Sequence, residues 1–313
     1  MIEKESHGDV EEDIRLTEET DEIDLNQVHV DQITAATSVF EAIRDLSDEG
    51  KIGPGLEAVV ETDVFRLRRG LCLPCAAAAC LNTVTKRRLV GDVDGEVNIG
   101  DLYRVIIPFH GKNEFKDPAV PNLEKGWLVV TPQGDMYHAA ITAISKALGV
   151  PAMPVESFGG VNAFRDVLAS GGAVAISMDN TFVLKETLHM RPDLVQVEND
   201  ETRILIEGPG GMDFRKFEHG RHVIALVGIE GNMAHLIDSF RLPAMKLEET
   251  RITVPVDRLD TYFDYFHGGN PRAIVFGGAR KQKDELRKFA SKVIVPGDVV
   301  EAASDYFHKL RFQ

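Results

Sequence analysis

The sequence predicts an α+β protein, with helices concentrated in its first half and an antiparallel sheet in its second. Residues 30–46, 72–86 and 136–148 carry apolar side chains at helical spacing. Residues 173–178, 221–228 and 272–276 are short apolar runs of strand length. Glu230-Gly231-Asn232 joins two such runs as a hairpin turn, which imposes antiparallel pairing on them.

Taken in order, residues 30–46 form a helix ended by Ser47-Asp48-Glu49-Gly50 and the glycine-proline run after it. Residues 56–67 alternate loosely and read as a strand or extended arm leading to Arg68-Arg69-Gly70. A helix follows from Cys72 to about Lys86, driven by the alanine run, with Pro74 suited to its first turn and Lys86-Arg87-Arg88 at its negative dipole end. Residues 110–126, rich in Lys, Asn, Pro and Asp, read as a surface loop able to line a cleft. The helix over 136–148 stops at Gly149, and a shorter one over 161–169 stops at Ser170-Gly171-Gly172. Residues 179–220 make an insertion-sized polar connection with one strand, 203–207, and a glycine-rich turn. Connections of that length are often binding loops or lids. The hairpin strands 221–228 and 233–240, a helix over 257–266, the strand 272–276 and helices over 283–292 and 298–310 complete the chain.

With 313 residues and 43% apolar content, the chain can build a substantial core. Its net charge of −15 argues against nucleic acid and anionic membrane as partners. Residues 1–30 hold 11 acids and 2 bases and no aromatic residue, the composition of a solvated, disordered tail. No apolar run approaches the roughly 20 residues that span a bilayer. The N-terminus also lacks the basic-then-apolar order of a secretory signal, so a cytoplasmic location is expected. All 3 cysteines fall between positions 72 and 80, too close together to staple distant loops.

That cluster is where the chemistry concentrates. At a helix N-terminus the unsatisfied N–H groups and the dipole favour an anion, so Cys72 is the candidate nucleophile. A thiol nucleophile needs a base and a group that orients the base. With a short turn, the start of the first hairpin strand lies opposite the end of the second, which makes His222 and Asp238 neighbours. Cys72, His222 and Asp238 therefore form the candidate catalytic set, and the Cys72 N–H with one side-chain donor from the preceding arm would stabilise an oxyanion. His110, His138, His189 and His267 have no evident carboxylate partner and read as surface residues. Asp179 reads as a strand-end cap, and Trp127 as a core or rim anchor.

Cys72-x-Pro74 opening a small-residue helix, followed by His222-Val223-Ile224-Ala225-Leu226-Val227-Gly228 and then Leu236-Ile237-Asp238-Ser239, resembles the papain-like cysteine peptidases of the bacteriocin-processing type, the double-glycine leader peptidases and their stand-alone relatives. The resemblance implies a papain-like fold, with a nucleophile helix packed on an antiparallel sheet, over residues 56–277. That leaves 1–30 as the tail, 31–55 as an N-terminal helix and 278–313 as a helical extension. It also implies a Cys-His-Asp peptidase that acts on a peptide or protein and uses neither cofactor nor metal. Leu73 stands where the family usually has glycine, and Arg66 where it usually has glutamine. A catalytically silent peptide-binding module of the same fold is therefore an alternative. Cys72-Leu73-Pro74-Cys75 also has the spacing of a thiol-disulfide oxidoreductase, and Cys72, Cys75, His219 and His222 could form a four-ligand zinc site.

Overall fold

The alanine run forms a helix, Cys72–Thr85, in a computed structural model that describes residues 23–311 except 54, 62, 93, 113, 115–125, 132–133, 190, 199–200, 209, 218–219, 264–270 and 279–283. The principal elements of the first half are α1 (Gln32–Asp48), α2 (Val64–Gly70), α3 (Cys72–Thr85), α4 (Ile99–Ile106) and α5 (His138–Ala147). The second half carries β1 (Ala152–Glu156), β2 (Ala173–Asp179), β3 (Val195–Glu198), β4 (Glu201–Gly208), β5 (Gly211–Lys216), β6 (Arg221–Glu230), β7 (Met233–Ile237), β8 (Arg251–Pro255) and β9 (Arg272–Phe276), closed by α6 (Gly297–Arg311). Helices and antiparallel sheets are thus combined in the order expected.

Six strands pair antiparallel in the order β8-β7-β6-β2-β9-β1. Helix α3 packs across β6, β2 and β9. Ala76, Ala77 and Cys80 of the helix share one apolar cluster with Ala175, Ala225 and Ile274 of the sheet. Small side chains on both surfaces let helix and sheet approach closely, which holds the start of α3 rigidly against the sheet. The other sheet face buries Val174, Ile176, Ile224 and Leu226 with Phe158, Phe164 and Leu259. Helix α3 ends where Lys86 takes a left-handed conformation, φ 52°. Helix α5 ends through Gly149 at φ 81°, with the Val150 N–H closing on the Ser145 carbonyl at 2.9 Å.

The arm before Cys72 departs from expectation. Residues 57–60 form a helical turn, and Val64–Gly70 is a helix whose start is capped by the Asp63 side chain, which accepts the Arg66 N–H at 2.8 Å. Two helices, α2 and α3, therefore abut at Leu71. The long polar connection also holds more structure than one strand: β3, β4 and β5 form a small antiparallel sheet over Leu188, Leu194, Ile204 and Leu242. Strands β3 and β5 are mostly exposed; the valines of β3 alternate with Gln196 and Glu198, but Val197 faces solvent.

The ends of the chain are tied to the core. Residues 1–22 of the acidic tail lie outside the described residues, but 23–30 fold, with a turn of helix Leu25–Val28 and buried Val28, His29 and Val30. The tail boundary is corrected accordingly, since those side chains fill the core despite the acidic composition around them. One buried cluster takes residues from Val28 to Phe307, so α1 and α6 complete the core around α3. Within 283–292 the described structure is a short turn ending in Arg287–Phe289, and the helix predicted over 257–266 spans Val256–Asp260. Among the described residues no helix is long and apolar enough to cross a membrane.

Candidate active site

Cys72 is the first residue of α3. Leu71 at the cap position makes no side-chain hydrogen bond to the helix, and Pro74 has no N–H. The Cys72 and Leu73 N–H groups thus point from the helix start with no capping side chain. Cys72 is partly exposed, whereas Cys75 and Cys80 are buried. Burial pushes both of those thiols well above the ordinary range. The second thiol of Cys72-Leu73-Pro74-Cys75 is therefore enclosed. Cys72 opens onto a cleft of about 800 Å³, lined by Gly70, Tyr137, His138, Ser177 and Val223 among others.

His222 and Asp238 meet through a bulge. At the turn Glu230 pairs with Met233, and Gly228 with His235, but beyond Val227 Leu226 pairs with Leu236 and Ala225 with Ile237. One extra residue on β6 shifts the register by one. Carried one step further, the shifted register sets Asp238 against Ile224, in the same alternation phase as His222. The unbulged register would set it against Ala225, on the opposite face. Asp238 is therefore diagonal to His222, and His222 Nε2 contacts Asp238 Oδ1 at 2.7 Å.

Both side chains are buried. Asp238 Oδ1 also accepts the Phe240 N–H at 2.9 Å, and Oδ2 accepts the Thr187 hydroxyl at 2.8 Å. Burial alone would raise the Asp238 carboxyl, but the His222 charge and these hydrogen bonds hold it below its ordinary value. For His222, burial lowers the imidazole pKa. The Asp238 carboxylate outweighs that through its charge and its hydrogen bond, and the ring is pushed up to about 10. With Nε2 held by Asp238, Nδ1 is the nitrogen available to the thiol.

Distant residues brace this pair. The His29 ring, whose pKa burial lowers to about 4, is neutral at pH 7 and donates from Nε2 to the Asp238 carbonyl at 3.1 Å. Gln32 accepts the Ser239 hydroxyl at 3.0 Å through Oε1 and donates through Nε2 to the Arg68 carbonyl at 3.1 Å. It thereby links the loop after Asp238 to the helix before Cys72. Thr187 sits on a π-helical turn, Val183–Thr187, an uncommon form often found at functional sites. Its neighbour Glu186 is bonded by Arg258 Nε at 2.7 Å and by the Tyr262 hydroxyl.

The remaining candidates separate. His110 is buried rather than on the surface: its Nδ1 accepts the Val129 and Val130 N–H groups at 3.3 and 3.4 Å, and burial lowers it to about 4. His138, at the start of α5, is partly exposed and lines the Cys72 cleft. His189 is exposed, with Nδ1 donating to the Glu186 carbonyl at 3.0 Å, while His219 and His267 lie outside the described residues. Asp179 is buried and caps a turn by accepting the Thr181 N–H at 2.7 Å. Trp127 is buried and donates to the Ile294 carbonyl at 3.2 Å. Arg66 is exposed on α2 and borders the cleft at Cys72.

No family model matches the chain, and no curated protein does. Among solved structures it is similar to a "putative C39-like peptidase" from Bacillus anthracis, at 17% identity over 67% of this chain and 90% of that one, with a TM-score of 0.34.

Proposed function

We propose that the protein is a papain-like cysteine peptidase that hydrolyses a peptide or amide bond through Cys72, His222 and Asp238. The observation that carries the reading is the buried His222 Nε2 to Asp238 Oδ1 contact of 2.7 Å, in a fold that leaves Cys72 as the one cysteine not buried. In this mechanism Cys72 Sγ, its proton already held on the His222 imidazolium, attacks the carbonyl carbon as a thiolate. The oxyanion is met by the Cys72 N–H and by a donor from α2, for which Arg66, which borders the cleft, is the candidate. As the tetrahedral adduct collapses, the C–N bond breaks and the imidazolium gives its proton to the leaving amine, leaving a thioester on Cys72. Water, deprotonated by His222, then attacks the thioester and releases the acid.

Residues 56–277 are the proposed catalytic unit, with 31–55 bracing it through Gln32 and, from the extension 278–313, helix α6 packed on it. The three free cysteines fit a reducing compartment, and we place the protein in the cytoplasm. The test is hydrolysis of a fluorogenic peptide mixture by wild type and by Cys72→Ala. Activity lost with Cys72 supports a peptidase. A wild type that binds peptides, alkylates at Cys72 and never turns over favours the silent binding module.

A further inference from the structure

The groove at Cys72 has the opposite charge to the chain that builds it. The sequence carries 50 acids against 35 lysines and arginines. Yet the cleft of about 800 Å³ at Cys72 is bordered by Arg66, Arg69, Arg221 and Arg272, with Asp135 as the single carboxylate among its described lining residues. Asp135 is itself engaged, since its Oδ2 accepts the Thr131 hydroxyl at 3.0 Å. Arg272 reaches Glu156 at 3.7 Å and keeps about half of its side chain in solvent.

The same sign continues past the catalytic pair. A second pocket of about 300 Å³ lies on the His222 side, and Arg69 and Arg221 border it as well as the first. The small sheet adds Arg215 there, beside a Lys216 that Glu201 pairs at 2.7 Å, and no described lining residue is acidic. Ile204, Ile206 and Phe240 give this pocket an apolar wall. Arginines 69 and 221 therefore form a saddle between two depressions, one holding Cys72 and the other His222. A cleft lined by one sign of charge concentrates ligands of the other sign, and the effect is larger where the remaining surface repels them.

We propose that the substrate is an acidic peptide laid across this saddle. Its carboxylates on one side of the scissile bond meet Arg272. Those on the other side meet Arg215, with an apolar side chain seated against Ile204 and Phe240. The small sheet β3-β4-β5 is then the specificity element. This inference rests on the reading of Cys72 as the nucleophile.

Two measurements on the full chain test it. The first compares the rates at which iodoacetate and iodoacetamide alkylate Cys72, as a ratio referred to free cysteine. The ratio should stand roughly tenfold above the reference at low salt, collapse at high salt, and fall severalfold in Arg272→Gln. Using a ratio cancels any change in intrinsic thiol reactivity. A ratio equal to that of free cysteine, or no alkylation of Cys72 by either reagent, overturns the proposal. The second measures kcat/KM on matched peptides with Glu, Gln or Lys flanking the cleaved bond, with Glu expected to lead Lys by about tenfold and Arg215→Gln to narrow the gap. Cys72-dependent cleavage with no charge preference overturns the acidic substrate and leaves the peptidase standing. Anion-selective alkylation without cleavage of any peptide overturns the peptidase and leaves an acidic-chain binding groove.

Discussion

At the level of single residues, the site turns on how one buried carboxylate is held. Asp238 receives His222, the Phe240 N–H and the Thr187 hydroxyl, and its backbone carbonyl receives His29. Asp238→Asn should fold but favour the wrong imidazole tautomer, with kcat reduced on the order of 1,000-fold or more. A variant with wild-type turnover would remove Asp238 from the mechanism. The histidines also set a pH profile for stability. His222 is raised from 6.5 to about 10, so its contribution is complete below pH 6.5 and is lost as pH rises toward 10. His29 and His110 are lowered from 6.5 to about 4, so theirs is complete above pH 6.5 and is lost as pH falls toward 4. Urea midpoints across pH should therefore peak near pH 6.5, and His222→Gln should flatten the alkaline side alone. A wild-type midpoint that climbs from pH 7 to 9 would contradict this account. Cys72 and His222 were legible because a helix start and a strand start announce themselves in residue types. His29 and Gln32 were not, because their partners lie 209 and 207 positions away.

At the level of elements, helix α3 and the hairpin do most of the positioning. The alanine run made α3 readable, and its closeness to the sheet follows from Ala175 and Ala225 on the facing strands. Ala76→Leu should overpack that contact and destabilise by about 1–3 kcal/mol in urea denaturation. No change there would mean that α3 and the sheet are not in close contact. The hairpin was readable as a hairpin, but its register was not. A simple turn would have paired Asp238 with Ala225, and only the extra Val227 turns the carboxylate to the phase of His222. Gly228, a glycine inside an apolar strand run, is the one local hint of that bulge. The arm before Cys72 was misread because Val59, Val60 and Val64 suggest a strand, while the Asp63 cap decides for helix.

At the level of the whole molecule, the ends of the chain belong to the core. Val299, Ala303 and Phe307 of α6 are buried in the cluster that contains α3 and α1. Phe307→Ala should cost about 3–5 kcal/mol and lower the midpoint of the whole protein in a single transition. Loss of α6 signal alone, with the sheet's transition unmoved, would make the C-terminal segment an independent appendage. Composition could not show this, because α6 is a charged amphipathic helix whose partners α5 and α4 precede it by some 150 to 200 residues. The acidic net charge was legible at once, but the basic groove was not. Its arginines come from α2, β6 and β9, and only folding gathers them around one thiol.

The central claim is that Cys72 takes an acyl group, and intact-mass analysis with peptide mapping after reaction with an activated ester tests it most directly. The account predicts a single acyl adduct on Cys72, absent in Cys72→Ser and formed far more slowly in His222→Gln. An adduct on Cys75 or Cys80, or an adduct on Cys72 that forms equally fast without His222, would contradict it.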